Sequence, residues 1–350
     1  MRKKLTATQY PVSTDSVLQT PSALEAKLRE AVEDIEQILV RETQTQRDNT
    51  SELVSHLRAA GGKRMRPLLT VLVSQLGAPD QPVSLKVKQA AAAVELTHLA
   101  SLYHDDLMDE ATVRRGVHAA HVQWTNTLAV MAGDLIFARA SLLVSELGSE
   151  IVAQHSHTFE RLCQGQMHDI FGPGDDDDPI EFYLGVLRDK TGALIGCAAQ
   201  YGAELSGCGT ATIEALTQFG EELGVAFQIA DDVLDLQATE AQSGKTPGAD
   251  LRDGTKTLPV LLLEKTVRDG QCEDADRALL KAIGDTDALR DDAILAQVTA
   301  QLAAHRVTAQ TKQLAELWVQ RSLTHLEHLA EGEVKTALAD FAHLQINRLN

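Results

Sequence analysis

Two acidic clusters carry the clearest chemical signal in this chain. Asp105-Asp106-Leu107-Met108-Asp109 and Asp231-Asp232-Val233-Leu234-Asp235 share one DDxxD spacing, 126 positions apart. In a helix, residues i and i+4 lie on one side, about 6 Å apart along the axis. Asp105 with Asp109, and Asp231 with Asp235, would each present a carboxylate pair. Like charges at that spacing destabilise a bare helix, and a hard divalent cation offsets the repulsion. Mg²⁺ in particular takes one or two carboxylates and completes its shell with water and phosphate oxygens. Asp105, Asp106, Asp109, Asp231, Asp232 and Asp235 are therefore candidate metal ligands. One such cluster would read as a solvated helix end, but both follow apolar helical stretches, Leu99–Tyr103 and Val225–Ala230. Neither has the alternating D-x-D-x-D-G pattern of an EF-hand.

Compact basic motifs complement the acidic ones. Gly61-Gly62-Lys63-Arg64-Met65-Arg66-Pro67 sets three cations beside glycines at an expected helix start, a favourable place for an anion. Arg114-Arg115-Gly116 follows the first acidic cluster, and Lys190-Thr191-Gly192 and Gly244-Lys245 supply further cations. Arg grips a phosphate bidentately, where Lys acts as a point charge. Together the motifs describe a diphosphate site; Arg64 alone reads as ordinary surface charge. The run Asp175–Asp178, between Pro173 and Pro179, reads as a solvated loop.

The elements that must position these groups are helices. Apolar content is 44% with only 4% aromatics, and Ala and Leu abound, which favours helix. Residues 1–20 form a polar leader with Pro11, and residues 21–350 a single domain. From Ser22 a stripe of Leu24, Leu28, Val32, Ile35, Ile38 and Leu39 marks a first helix. A second is expected over 62–76, with Pro67 tolerable only near its first turn. A helix over 85–108 is apolar nearly all round, which places it centrally. Further helices are expected at 123–147, 150–170, 179–206, 210–236, 256–268 and 275–284, with two or three more over 292–349. No alternating strand pattern of useful length occurs.

The order GGKRxRP, DDxxD, RRG, KTG, a Gln shortly before the second DDxxD, then GK resembles the trans-isoprenyl diphosphate synthase family over about residues 50 to 260. The resemblance implies an all-α, single antiparallel helical bundle around a deep central cavity (the isoprenoid synthase fold), usually in a homodimer. The implied activity is Mg²⁺-dependent condensation of isopentenyl diphosphate with an allylic diphosphate, farnesyl or geranylgeranyl, to an all-trans polyprenyl diphosphate. By the same resemblance, Asp105, Asp109 and Asp231 ligate Mg²⁺ bridged to the allylic diphosphate, and Asp106, Asp232 and Asp235 support them or hold water. Arg114, Lys190, Thr191, Gln228 and Lys245 bind the allylic diphosphate; Lys63, Arg66, His98 and Arg115 bind isopentenyl diphosphate. His104, His118 and His121 read as structural. Many members carry a Lys where this chain has Thr255, with Lys256 one position later.

The product length implied is geranylgeranyl or longer. The fifth and fourth residues before Asp105 are Ala100 and Ser101, both small, where short-chain members often carry an aromatic residue. Tyr103, three residues from Ala100, is a candidate for narrowing the same face. Gly165-Gln166-Met167-His168-Asp169 and the GKTPGADLRDG loop resemble long-chain members that make menaquinone side chains; a short-chain geranylgeranyl or farnesyl synthase is the alternative. A class I terpene cyclase would leave GGKRxRP and Arg115 without a role. A non-catalytic partner subunit would be expected to have lost the acidic motifs.

Acidic residues outnumber basic ones, 50 to 32, for a net charge of −18, which disfavours nucleic-acid binding. Cys163, Cys197, Cys208 and Cys272 form no CxxC pair and read as reduced, mostly buried thiols of a cytoplasmic protein. No signal peptide and no apolar run near the roughly 20 residues needed to span a bilayer is visible. Transient membrane contact is expected only because a long product must leave for a bilayer.

Overall fold

Helix caps and Gly/Pro breaks divide the Ala- and Leu-rich sequence into long helices. The structure, a computed structural model, describes residues 22–237 and 247–346. In chain order α1 is Ala23–Glu42, α2 Asp48–Ala59, α3 Met65–Ser74, α4 Leu85–Met108, α5 Ala120–Gln123, α6 Asn126–Ser145, α7 Ser149–Phe171, α8 Pro179–Leu187, α9 Ala193–Leu205 and α10 Thr210–Gln237. Six more follow among the described residues: α11 Ala249–Arg252, α12 Leu258–Arg268, α13 Asp274–Ile283, α14 Asp292–Ala304, α15 Arg306–Thr324 and α16 Glu333–Ile346.

α4 starts where Ser84 accepts a hydrogen bond from Val87 N at 3.3 Å and then runs through the core. Every residue from Ala90 to Thr97 is buried, including Glu95. It packs on α6, α9, α3 and α1, while α10 packs on α9 and α15, so α9 touches both helices that carry acidic clusters. The α9–α10 approach depends on glycines. A Cβ at Gly220 would lie 2.8 Å from Gly196 Cα, and one at Gly224 2.6 Å from Gly192 Cα. A second, smaller core under α12 to α14 gathers Leu236, Leu251, Leu263, Leu289 and Leu302.

Several expectations need correction. α2 was not anticipated, because its opening is polar and only Leu53, Val54 and Leu57 are buried. The stretch expected as one helix over 179–206 is α8 and α9 joined by a π-helical turn, Arg188–Gly192. Val113–Arg114 and Val117–His118 form a two-stranded antiparallel hairpin. Its central residues Arg115 and Gly116 both have positive φ, 53° and 76°, as a type I′ turn requires. α6 is long and apolar enough to cross a membrane by length and composition, interrupted only by Asp134 and Arg139. It lies along α4, which buries Ala129, Ala132, Ile136, Ala140 and Leu143. Of the four free cysteines only Cys197 is buried, and Cys163 is exposed.

Candidate active site

The first acidic cluster closes α4. Asp105 lies in its last turn and Asp109 is the C-cap, its N–H donating to Asp105 O at 2.8 Å. The negative end of a helix dipole disfavours carboxylates there, which adds to the need for a cation. Burial pushes the Asp105 carboxyl up to about 6; the Lys190 ammonium opposes that shift, and the charge of Asp109 adds to it. Asp106 turns inward. It is fully buried, its Oδ1 accepts from Arg114 Nε at 2.6 Å, and its Oδ2 has no protein partner.

The second cluster repeats this division. Asp231 and Asp235 are partly exposed, whereas Asp232 is buried. Asp232 Oδ2 accepts from Tyr183 Oη at 2.8 Å and from Leu258 N at 3.1 Å, and burial raises its carboxyl well above the usual range. Asp235 Oδ2 accepts from Asp250 N at 3.4 Å. Asp106 and Asp232, counted among the metal ligands from sequence, thus face protein donors. Asp232 takes two donors on its Oδ2, whereas Asp106 keeps one carboxylate oxygen without a protein partner.

Between the clusters lies the π turn with Lys190 and the buried Thr191. Lys190 Nζ donates to Asp169 Oδ2 at 2.7 Å. Tyr183 feels the charges of both Asp232 and Asp169, and Asp105 feels that of Lys190, so Lys190 and Asp169 link the acidic helix ends. Gln228 is partly buried on α10, three residues before Asp231. Lys245 lies outside the described residues. Lys256 does not enter this group: exposed, it pairs with Glu264 at 2.8 Å.

The other basic residues gather beside α4, one to three turns before Asp105. His98 is pushed well below its ordinary range by burial and by the nearby guanidiniums of Arg66, Arg115, Arg114 and Arg64. A neutral imidazole spares that cluster a further positive charge. Arg66 Nε is buried with no protein partner, and burial lowers the Arg66 guanidinium pKa. Arg115 donates through Nη1 to Leu57 O at 3.0 Å and also to Gly61 O. Lys63 is exposed at the rim. Gly62, with φ of +152°, makes room: a Cβ there would lie 2.9 Å from Arg64 Nη1 and 3.0 Å from the Arg115 guanidinium.

Arg64 is not surface charge. It is buried in a left-handed conformation, its Nε 2.9 Å from Glu36 Oε2 and its Nη1 3.0 Å from Glu95 Oε1. Its neighbours Arg66 and Arg115 also feel Glu95. Glu95, Glu36, Tyr183 and Asp250 were missed from sequence. A Glu inside the apolar run of α4 was the available signal, since such residues are buried only when paired.

The product-length candidates separate. Ser101 is partly exposed, lies four residues before Asp105 on the same side of α4, and donates to His98 O at 3.0 Å. Ala100 is fully buried. Tyr103 points away, since two residues turn a helix by about 200°. Its hydroxyl donates to Leu53 O at 2.6 Å and accepts from Leu57 N at 3.3 Å, so it fastens α2 to α4 rather than narrowing the face below Asp105. Of the histidines read as structural, His104 donates through Nε2 to Val130 O at 3.1 Å, while the Nδ1 of His121 is buried with no protein partner. In the acidic loop, Asp178 caps α8 through Ile180 N and Glu181 N.

Among the described residues no three carboxylate, imidazole or thiol groups converge as a finished metal site. Asp105, Asp109 and Asp231 offer hard oxygens only, and a cation bound there would take the rest of its shell from water and a bound anion, which suits Mg²⁺.

An all-helical bundle with aspartate-rich helix ends beside clustered cations defines a prenyl-transfer enzyme of the isoprenoid synthase fold. The polyprenyl synthetase family model matches residues 47–334, and the chain belongs to that family. It is a prenyl diphosphate synthase. It is 40% identical to the nonaprenyl diphosphate synthase of Mycobacterium tuberculosis over 92% of this chain and 94% of the relative. It is 34% identical to heptaprenyl diphosphate synthase component 2 of Geobacillus stearothermophilus over 88% of this chain and 92% of that one. Among solved structures, a Caulobacter crescentus polyprenyl synthase complexed with calcium and isoprenyl diphosphate superimposes with a TM-score of 0.82 at 29% identity, covering 92% of this chain and 96% of that one.

Proposed function

We propose that this enzyme condenses isopentenyl diphosphate repeatedly with an allylic diphosphate, requires Mg²⁺, and makes an all-trans product longer than geranylgeranyl. The observation that carries this reading is the pairing of Asp105, Lys190 and Arg114 at the end of α4 with Arg66, His98 and Arg115 one to three turns away. Two anionic groups would thereby be held side by side along α4.

Asp105, Asp109 and Asp231 would hold Mg²⁺, which when bound neutralises charge on the departing diphosphate. Lys190 leaves Asp169 and, with Arg114, draws the allylic diphosphate away from C1 as the C–O bond ionises. Arg66, Arg115 and His98 hold the isopentenyl diphosphate so that its double bond attacks that carbocation. No side chain in the motifs is placed as an evident base, and the released diphosphate takes the proton. Buried Leu99, Ala100 and their neighbours help exclude water from the cation.

The small side chain of Ser101 supports a long product, as does the resemblance to a nonaprenyl synthase. Each added unit buries CH₂ groups at about 0.8 kcal/mol apiece, so an unobstructed path favours further elongation. A cytoplasmic location and a homodimer paired through α6 complete the reading. The heptaprenyl relative is named as a component, so a heteromer is an alternative outcome. The test is chain-length analysis of products from radiolabelled isopentenyl diphosphate and farnesyl diphosphate, with Mg²⁺ or EDTA. The wild type should give a long product with Mg²⁺ and none with EDTA, and Ser101→Phe a shorter one. A wild-type product ending at geranylgeranyl would overturn the length; no elongation without an added protein would favour the heteromer.

A further inference from the structure

Arg161, on α7, touches none of the residues assigned to substrate, yet it joins two of the elements that carry them. Its Nε donates to Asp189 Oδ1 at 2.9 Å, and its Nη1 donates to Glu221 Oε1. Asp189 directly precedes Lys190 in the π turn, and Glu221 stands on α10, ten residues before Asp231. Arg161 and Glu221 are each only 22% exposed, and Asp189 29%, so the bridge is largely shielded from water.

A π turn is rare and often marks a functional site, because its wider coil has to be held by its surroundings. Here backbone contact closes on it from two sides. A Cβ at Gly165 of α7 would lie 2.8 Å from Lys190 N, and one at Gly192 would lie 2.7 Å from Glu221 O. Arg161 is the side chain that spans the same three elements, and its two carboxylate partners give the turn one orientation against α7 and α10.

We propose that Arg161 is a positioning residue for the allylic diphosphate: by bridging Asp189 and Glu221 it fixes the π turn and so aims Lys190 and Thr191 into the site. The proposal rests on the reading of Lys190 as a diphosphate ligand. Arg161→Met keeps the apolar stem and leaves two carboxylates facing each other, while Arg161→Lys keeps the charge without the fork that reaches both.

The experiment measures kcat and both KM values for the full-length enzyme carrying Arg161→Met or Arg161→Lys, each alone and combined with Lys190→Ala. The expected result is a rise of about tenfold in KM for farnesyl diphosphate with Arg161→Met and little change for isopentenyl diphosphate. Arg161→Lys should recover part of the loss, and Arg161→Met should add nothing once Lys190 is Ala. Equal rises for both substrates, or an undiminished effect in the Lys190→Ala background, would show a general packing role and overturn the proposal. Lys190→Ala with an unchanged primer KM would instead sink the reading of Lys190, and the proposal with it. If Arg161→Met does not fold, Glu221→Gln removes one arm of the bridge and should give the same pattern.

Discussion

At the scale of single residues, the bundle treats its buried titratable groups in two ways. Glu95, 2% exposed, pairs with Arg64 at 3.0 Å, and this ion pair stands beside a cationic cluster from within the core. Removing one partner of such a pair typically costs about 3–5 kcal/mol, because the other charge is stranded. His155 is instead kept neutral. It is buried on α7 with its Nε2 3.4 Å from Thr97 Oγ1 and its Nδ1 unpartnered, and burial pushes it down to about 4. An unfolded histidine titrates near 6.5, so its folded value is depressed. The neutral form therefore contributes stability that is fully present above about pH 6.5 and is lost as pH falls through about 4. The difference corresponds to roughly 3 kcal/mol. Urea unfolding of the wild type at pH 7, 5.5 and 4 should show this loss, and His155→Gln should flatten the slope over that window. Parallel slopes for the two proteins would exclude His155 as the source.

At the scale of elements, the glycine seam between α9 and α10 connects packing to the site. Gly224→Ala would place a methyl 2.6 Å from Gly192 Cα, backbone that no rotamer change can move. Overpacking of this kind typically costs about 1–3 kcal/mol, read as a lower thermal midpoint. Because Gly192 ends the turn that carries Lys190, kcat/KM should fall as well. Gly209→Ala, with nothing within 4 Å of its Cβ, should change stability by no more than about 0.5 kcal/mol; an equal loss there would remove close packing as the cause. Which elements were legible in the sequence follows the same physics. α4 was bounded correctly at both ends because Ser84 caps it and the acidic cluster that closes it ends a mostly apolar run. The π turn was invisible, since Arg188–Gly192 was read for its cation and the helical pattern resumes directly after it, while only packing on α7 and α10 accompanies the widened coil. The hairpin hid inside a basic motif: Arg115-Gly116 was read for its charge, although the same two residues make the turn. Arg64 was misread because its partners Glu36 and Glu95 are 28 and 31 residues away, a distance no local pattern reports.

At the scale of the whole molecule, the unexplained surface is the outer side of α6. Leu128, Met131, Leu135, Ala138 and Leu142 recur at spacings of three and four, the a/d pattern of a helix seam. Leu128, Met131 and Leu142 are 42%, 57% and 59% exposed while the opposite face packs on α4. Scattered exposed apolar residues are ordinary, but a continuous stripe is not. A helix of 20 residues is about 30 Å long, too small alone for a stable interface of about 1,000 Å² or more, so neighbouring side chains such as Val122, 46% exposed, must contribute. The homodimer proposed through α6 therefore requires wild-type protein to sediment at twice the chain mass and Met131→Asp at the chain mass. A wild-type monomer would sink it. The pairing has a consequence for chemistry, because α6 also receives the ring of His104, whose Nε2 would lie 2.3 Å from a Cβ at Gly133. His104 immediately precedes Asp105, so a shift of α6 in the monomer would move the acidic end of α4. Met131→Asp should then lose primer turnover in step with loss of the dimer; a fully active monomer would show that α6 holds its place on α4 without a partner.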